Sequence, residues 1–179
     1  MLATHSVSEE EVLVAELELL GIRYLSRQTP HQAVKVRLPA QLIADLVRQP
    51  SARVREALIS LFLTRPEYAG AVLAALARLS EDQALTLRLF YSAAVLLQLE
   101  HRDALGAATG GGLRPLPDLF SAELGLPGGD APIHARIAAL AQTHRDRTGI
   151  TANWTGTYES AACKLLRRWE MERRWSQSK

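Results

Sequence analysis

Ser80-Glu81-Asp82-Gln83-Ala84-Leu85-Thr86-Leu87-Arg88-Leu89-Phe90-Tyr91-Ser92-Ala93-Ala94-Val95-Leu96-Leu97-Gln98-Leu99-Glu100 decides the fold class. Ser80 and Gln83 have the spacing of a capping box, and Glu81 and Asp82 suit the positive end of a helix dipole. From Leu89 to Leu99 only Ser92 and Gln98 break an apolar run. A helix that is apolar nearly all round is surrounded by protein. The run is far short of the ~20 residues that span a bilayer. The reading is a helix from about Glu81 to Arg102 at the centre of a soluble core, with Phe90, Ala94 and Leu97 buried.

The sequence on either side repeats the helical period. Ser8 and Glu11 form a second capping box ahead of Leu13, Leu17, Leu20 and Tyr24, which predicts a first helix from about Glu9 to Arg27. Gln28 to Arg37, with Pro30, reads as a loop. Pro39 opens a helix with Leu42, Ile43, Leu46 and Val47 inward. After Pro50, Ser51 starts a third helix with Val54, Leu58, Leu61 and Phe62 inward. Pro66 fits the first position of a fourth, which runs through Tyr68, Val72, Leu73, Leu76 and Leu79.

Residues 106–129 hold seven of the 11 glycines. Such a segment is flexible and easily lengthened. Within it, Pro117 to Leu124 is expected to form a short helix. Two more helices follow, about Pro132 to Arg147 and Thr157 to Trp175. The expected fold is all-α, an antiparallel bundle or helical-hairpin array of about seven helices in one domain. Residues 1–102 are its main core, 103–132 a Gly/Pro-rich crossover, and 133–179 two C-terminal helices packed on the core.

Residues 39–64, with Val54-Arg55-Glu56-Ala57-Leu58 in the second helix, resemble a HEAT-type helical hairpin. The resemblance covers about one repeat where roughly three make a stable array. It implies a packing mode and brings no function with it.

The 179 residues are 47% apolar and 22% charged, an ordinary globular composition. The single cysteine, Cys163, excludes an intrachain disulfide, and its neighbours predict a buried, inert thiol. The N-terminal residues have no basic and apolar signal-peptide pattern, so a cytoplasmic location without membrane attachment is expected. The net charge of +2 is uneven: −3 over residues 1–132 and +5 over residues 133–179.

Catalytic motifs are sparse. His101-Arg102-Asp103 and His144-Arg145-Asp146 both spell a kinase catalytic-loop tripeptide. The magnesium-binding Asn is missing from both, since Ala108 and Thr151 stand five positions on. Histidines 5, 31, 101, 134 and 144 make no i, i+3 or i, i+4 pair, so neither a metal nor a cofactor is expected. Gly110-Gly111-Gly112 has no Lys-Ser or Lys-Thr after it and is no P-loop. No Arg and His have the spacing of an Arg-x4–6-His ribonuclease motif; Arg136 and His144 are eight apart, on one side of a helix two turns apart.

Two stretches carry binding chemistry. Asn153, Trp154, Thr155 and Tyr158 crowd aromatic and polar groups at a helix N-terminus, where free N–H groups can donate to a small ligand or anion. The structural alternative has Thr155 or Thr157 as the cap and Trp154 as a hydrophobic staple. In the last helix Tyr158, Ala162, Leu165 and Trp169 face inward. Lys164, Arg168, Met171 and Trp175 form a second stripe, and Arg167 and Arg174 a third. Basic side chains interleaved with Trp suit an acidic protein surface or a nucleic acid. A helix-turn-helix reading with Arg53 and Arg55 on the recognition helix is weakened by the apolar third helix.

The expected function is a non-catalytic helical interaction module that binds a protein partner or itself. A nucleic-acid-binding or regulatory protein using the basic C-terminal helix is the alternative. An enzyme or small-ligand binder with a site near Trp154 and Tyr158 is the third.

Overall fold

A computed structural model describes residues 8–25 and 35–177. Among these residues there are eight α-helices and no strands. They are α1 (Glu9–Leu19), α2 (Pro39–Arg48), α3 (Ala52–Thr64), α4 (Val72–Leu76), α5 (Glu81–Glu100), α6 (Arg102–Ala108), α7 (Ile133–Thr148) and α8 (Trp154–Gln177). A 3-10 helix, Pro66–Ala71, leads into α4. The fold is an all-α bundle, with one helix more than the sequence pattern suggests.

The α5 helix is central. Ser80 and Gln83 close its capping box, and every residue from Leu89 to Gln98 is buried. Ten consecutive buried residues leave no solvent face, as the sequence requires. Tyr91 meets Phe62 of α3 edge-on at 4.9 Å between ring centres. Phe90, one position back and so rotated around the axis, turns toward α7 and α8 and meets His144 and Trp154. The α3 helix packs on α1, α2, α5 and α8, so helices from both ends of the chain share one core.

Several boundaries differ from the sequence reading; α8, for one, starts at Trp154, three residues before the expected Thr157. The first helix stops at Leu19, because Gly21 adopts φ +99°. The Ile22 N–H bonds to the Leu17 carbonyl and the Gly21 N–H to the Glu18 carbonyl, a Schellman stop sealed by buried Leu17 and Ile22. Tyr24 therefore lies beyond the helix. Residues 26–27, and residues 28–34 of the expected loop, lie outside the described residues. The stretch opened by Pro66 winds as 3-10 before it becomes α4, and that α-helix is only one turn or so long.

At His101 the chain leaves helical geometry and restarts as α6 inside the expected crossover. Pro117 to Leu124 is no helix. It is a single turn in which Asp118 accepts from the Ser121 N–H and Gly125, at φ +68°, reverses the chain. Despite its glycines, the second half of the crossover is tied down. The Gln98 amide bonds the backbone twice, accepting from the Leu116 N–H at 2.7 Å and donating to the Arg114 carbonyl at 3.0 Å. The Tyr91 hydroxyl donates to the Pro117 carbonyl at 2.8 Å. Buried Arg136 donates to the Pro127 carbonyl at 3.1 Å and lies 3.4 Å from Asp118. Leu116, Phe120 and Leu124 are buried beneath this strap.

Gln98→Ala leaves a buried N–H and a carbonyl without partners, a loss of about 1–3 kcal/mol. Hydrogen exchange at the Leu116 amide is the direct readout. Unchanged protection in the variant would show that the strap is held by its apolar side chains alone.

Candidate functional site

The N-terminal stretch of α8 is consumed largely by packing. Asn153, and neither Thr155 nor Thr157, caps the helix: its Oδ1 accepts from the Gly156 N–H at 3.0 Å. Trp154 is therefore the first helical residue. Its indole N–H donates to the Ile150 carbonyl at 3.2 Å, and its ring stacks flat on His144 at 3.5 Å between centres. Tyr158 is fully buried and its hydroxyl lies 2.6 Å from His144 Nδ1. Thr155 is half-exposed and Asn153 exposed. Trp154 is only 9% exposed, so a ligand that touches both aromatic rings has to displace core contacts.

His144 thus belongs to a buried polar group that the sequence reading did not link to Trp154 and Tyr158. The signal was present: His144 and Ala141 recur at helical spacing after Ile137 and Leu140, all on the buried side of α7. Burial among Phe90, Trp154 and Tyr158 lowers the His144 pKa to about 4, because the imidazolium loses its hydration. Burial also raises the Tyr158 pKa well above its ordinary value. The phenol keeps its proton and has no other acceptor among the described residues. We therefore assign it as donor to Nδ1, which leaves the ring proton on Nε2.

A second buried polar cluster joins α1 to α2. Glu16 is completely inaccessible on the inward side of α1. It accepts from the Arg37 N–H, and its Oε2 lies 3.5 Å from Arg37 Nη1. Arg37 also reaches Asp45, 3.5 Å away, and Asp45 meets Arg48 at 3.1 Å. Gln41 donates to Asp45 and accepts from Arg78. Desolvation raises the Glu16 pKa, opposed by the hydrogen bond and charge of Arg37. Glu16 stands three residues after Leu13 and four before Leu20, a charged residue on an apolar stripe. That interruption announces a buried partner. The cluster clamps α1 to α2; among the described residues no three metal-ligating groups converge there or elsewhere.

The exposed chemistry lies at the far end of α8. Its inward stripe is Trp154, Tyr158, Ala161, Ala162 and Leu165, followed by half-buried Leu166 and Trp169. From Met171 onward no described side chain is buried. Met171 and Trp175, four residues apart on one side, are 45% and 67% exposed. Lys164, Arg167, Arg173 and Arg174 are exposed and Arg168 half-exposed. Arg168 pairs with Glu172 at 3.0 Å and Arg174 with Glu170 at 2.7 Å. Arg167 and Arg173 make no ion pair with any described residue. Ala108, Trp169, Glu172, Arg173 and Ser176 line a shallow groove of about 310 Å³ between α6 and α8.

Cys163 is exposed, contrary to the expectation of a buried thiol. It follows Ala161 and Ala162 in sequence, but the next step of about 100° carries it off the inward stripe. No helix of the described residues is long and apolar enough to cross a membrane. Comparison with known proteins assigns nothing further: no family model, no curated protein and no solved structure matches the chain.

Proposed function

We propose that the protein is a non-catalytic helical interaction module and that it docks a protein partner through the distal end of α8. The observation that carries this reading is the side-by-side exposure of Met171 and Trp175 after the helix has left the core. An exposed Trp next to Met and Arg is the composition of interface anchors, where a large apolar ring is desolvated at the centre of a contact. Arg167, one turn before Met171 on the same side of the helix, is exposed and adds a positive charge that pairs with no described carboxylate.

The nucleic-acid reading draws on the same arginines. It is weakened because Glu170 and Glu172 lie among them and already engage Arg174 and Arg168. Each such carboxylate repels a phosphate backbone while suiting a mixed-charge protein surface.

The test is the double variant Met171→Ala, Trp175→Ala in the full chain. Both side chains are exposed, so stability should change by no more than about 0.5 kcal/mol in a denaturant titration. Specific capture of a partner by the wild-type chain, resistant to nuclease and lost in the variant, supports the reading. Capture that nuclease abolishes, or that the double variant retains, overturns it.

A further inference from the structure

We propose that residues 102–113 form a hinged flap that closes over Trp169 on one side of α8 and opens as a unit while the rest of the core stays folded. The flap stands independently of the docking role of Met171 and Trp175.

Both feet of the segment rest on one turn of α5. The His101 N–H bonds to the Leu97 carbonyl at 2.9 Å, and there α5 ends. At Arg114 the chain returns to the neighbouring side chain: Gln98 donates to the Arg114 carbonyl and accepts from the Leu116 N–H. A stretch of about 6–16 residues with its ends together is an Ω-loop. Its displacement leaves both feet in place.

Between the feet, α6 is followed by three glycines in a row after Thr109. Gly110 and Gly111 take φ +65° and +84°, left-handed backbone that glycine adopts without strain. At the other end His101, at φ −102° and ψ 23°, is out of helical geometry, and its side chain makes no capping bond to α6. These are the two places where the backbone turns.

Little holds the segment down. Among the described residues its hydrogen bonds run within the segment or to the His101 carbonyl, and no ion pair leaves it. Leu105 is its only fully buried side chain, and Leu113 is half-buried. A segment with one apolar anchor and self-contained hydrogen bonds opens more readily than the core to which it is joined.

The side of α8 that it covers carries Trp169. The α6 helix packs on α8, and Ala108 shares the groove with Trp169, Glu172, Arg173 and Ser176. Trp169 is half-buried and lies about 120° around the helix from Trp175. The end of α8 therefore has one apolar face that is always exposed. It has a second, on another side, whose exposure the flap controls.

The experiment places a bimane label at Ala108→Cys in the full chain, with Cys163→Ser to remove the other thiol. An indole quenches bimane only at close range, so Trp169 should quench the label when the flap is closed, and Trp169→Phe should raise its emission. In a urea titration the emission should rise at a lower midpoint than the loss of helix followed by circular dichroism. Leu105→Ala should shift the first midpoint lower still and leave the second in place. The unlabelled chain gives an independent readout. Its Leu105 amide, bonded to the His101 carbonyl across the hinge, should exchange faster than the Leu97 amide and with a weaker dependence on urea. Coincident midpoints, or equal urea dependence of the two amides, would make α6 part of the core and overturn the proposal. Emission that Trp169→Phe leaves unchanged overturns it too, since α6 would then not stand over that ring.

Discussion

Leu97→Ala lowers the stability of the folded chain by about 2–5 kcal/mol, a large share of the roughly 5–15 kcal/mol that keeps a domain folded. Leu97 is fully buried in the last turns of α5, within the ten-residue stretch that has no solvent face. Helices from both ends of the chain hold those neighbours in place, so the site cannot collapse to fill the void. The cost is then the transfer free energy of the lost methyl groups plus that of the cavity. Denaturant titration measures it directly. A loss below about 1 kcal/mol would mean that the surrounding helices close over the vacancy and that α5 is not the rigid centre of the fold.

Acid should unfold the protein through His144. Folding depresses its pKa from 6.5 to about 4. Between these values the unfolded chain binds a proton that the folded chain refuses. The stabilisation is therefore fully present above about pH 6.5 and is lost progressively as the pH falls toward 4. The loss from this group is on the order of 3 kcal/mol. The double variant His144→Phe, Tyr158→Phe keeps both rings and removes the polar pair together, so its stability at neutral pH should lie near that of wild type. Its stability should hold between pH 6.5 and 5, where wild type declines. Parallel declines in the two proteins would assign the acid sensitivity to groups other than His144; Glu16, whose pKa is raised by burial, acts in the opposite sense and is not one of them.

The fold was legible where each segment states its own boundary. Ser8 with Glu11 and Ser80 with Gln83 mark two helix starts, and Pro39 marks a third. Boundaries were missed where a signal was weak or overruled by tertiary contact. Gly21 stops α1 through its backbone angle, but a lone glycine after Leu20 competes with an apolar period that runs on to Tyr24. The Gly-rich segment reads as loose because nothing local reveals that the Gln98 amide will hold residues 114–116. Cys163 was misjudged by composition, since its alanine neighbours face inward and it does not.

The candidate sites divide the same way. Exposure of Arg167, Arg174 and Trp175 follows from helical phase and could be read from the sequence. Tyr158 falls on the inward stripe by the same phase, but the partner of its hydroxyl and of the Trp154 ring, His144, arrives from a different helix. The Glu16–Arg37–Asp45 cluster was announced only by a charge on an apolar stripe.

The sharing of one core between α3 and α8 has a consequence for how the protein is made. The inner faces of α3 and α5, with Leu58, Phe62 and Phe90, leave the ribosome well before α7 and α8 exist to cover them. At ordinary elongation speeds the roughly 65 residues from the end of α5 to Leu165 take about 3–13 s to synthesise. Throughout that interval the nascent chain presents greasy helices with no lid. The interval is far longer than helix formation or collapse needs. Completion of this fold is therefore a late event in translation, and a nascent chain stalled near Gly110 is a substrate for chaperones or proteases rather than a folded fragment.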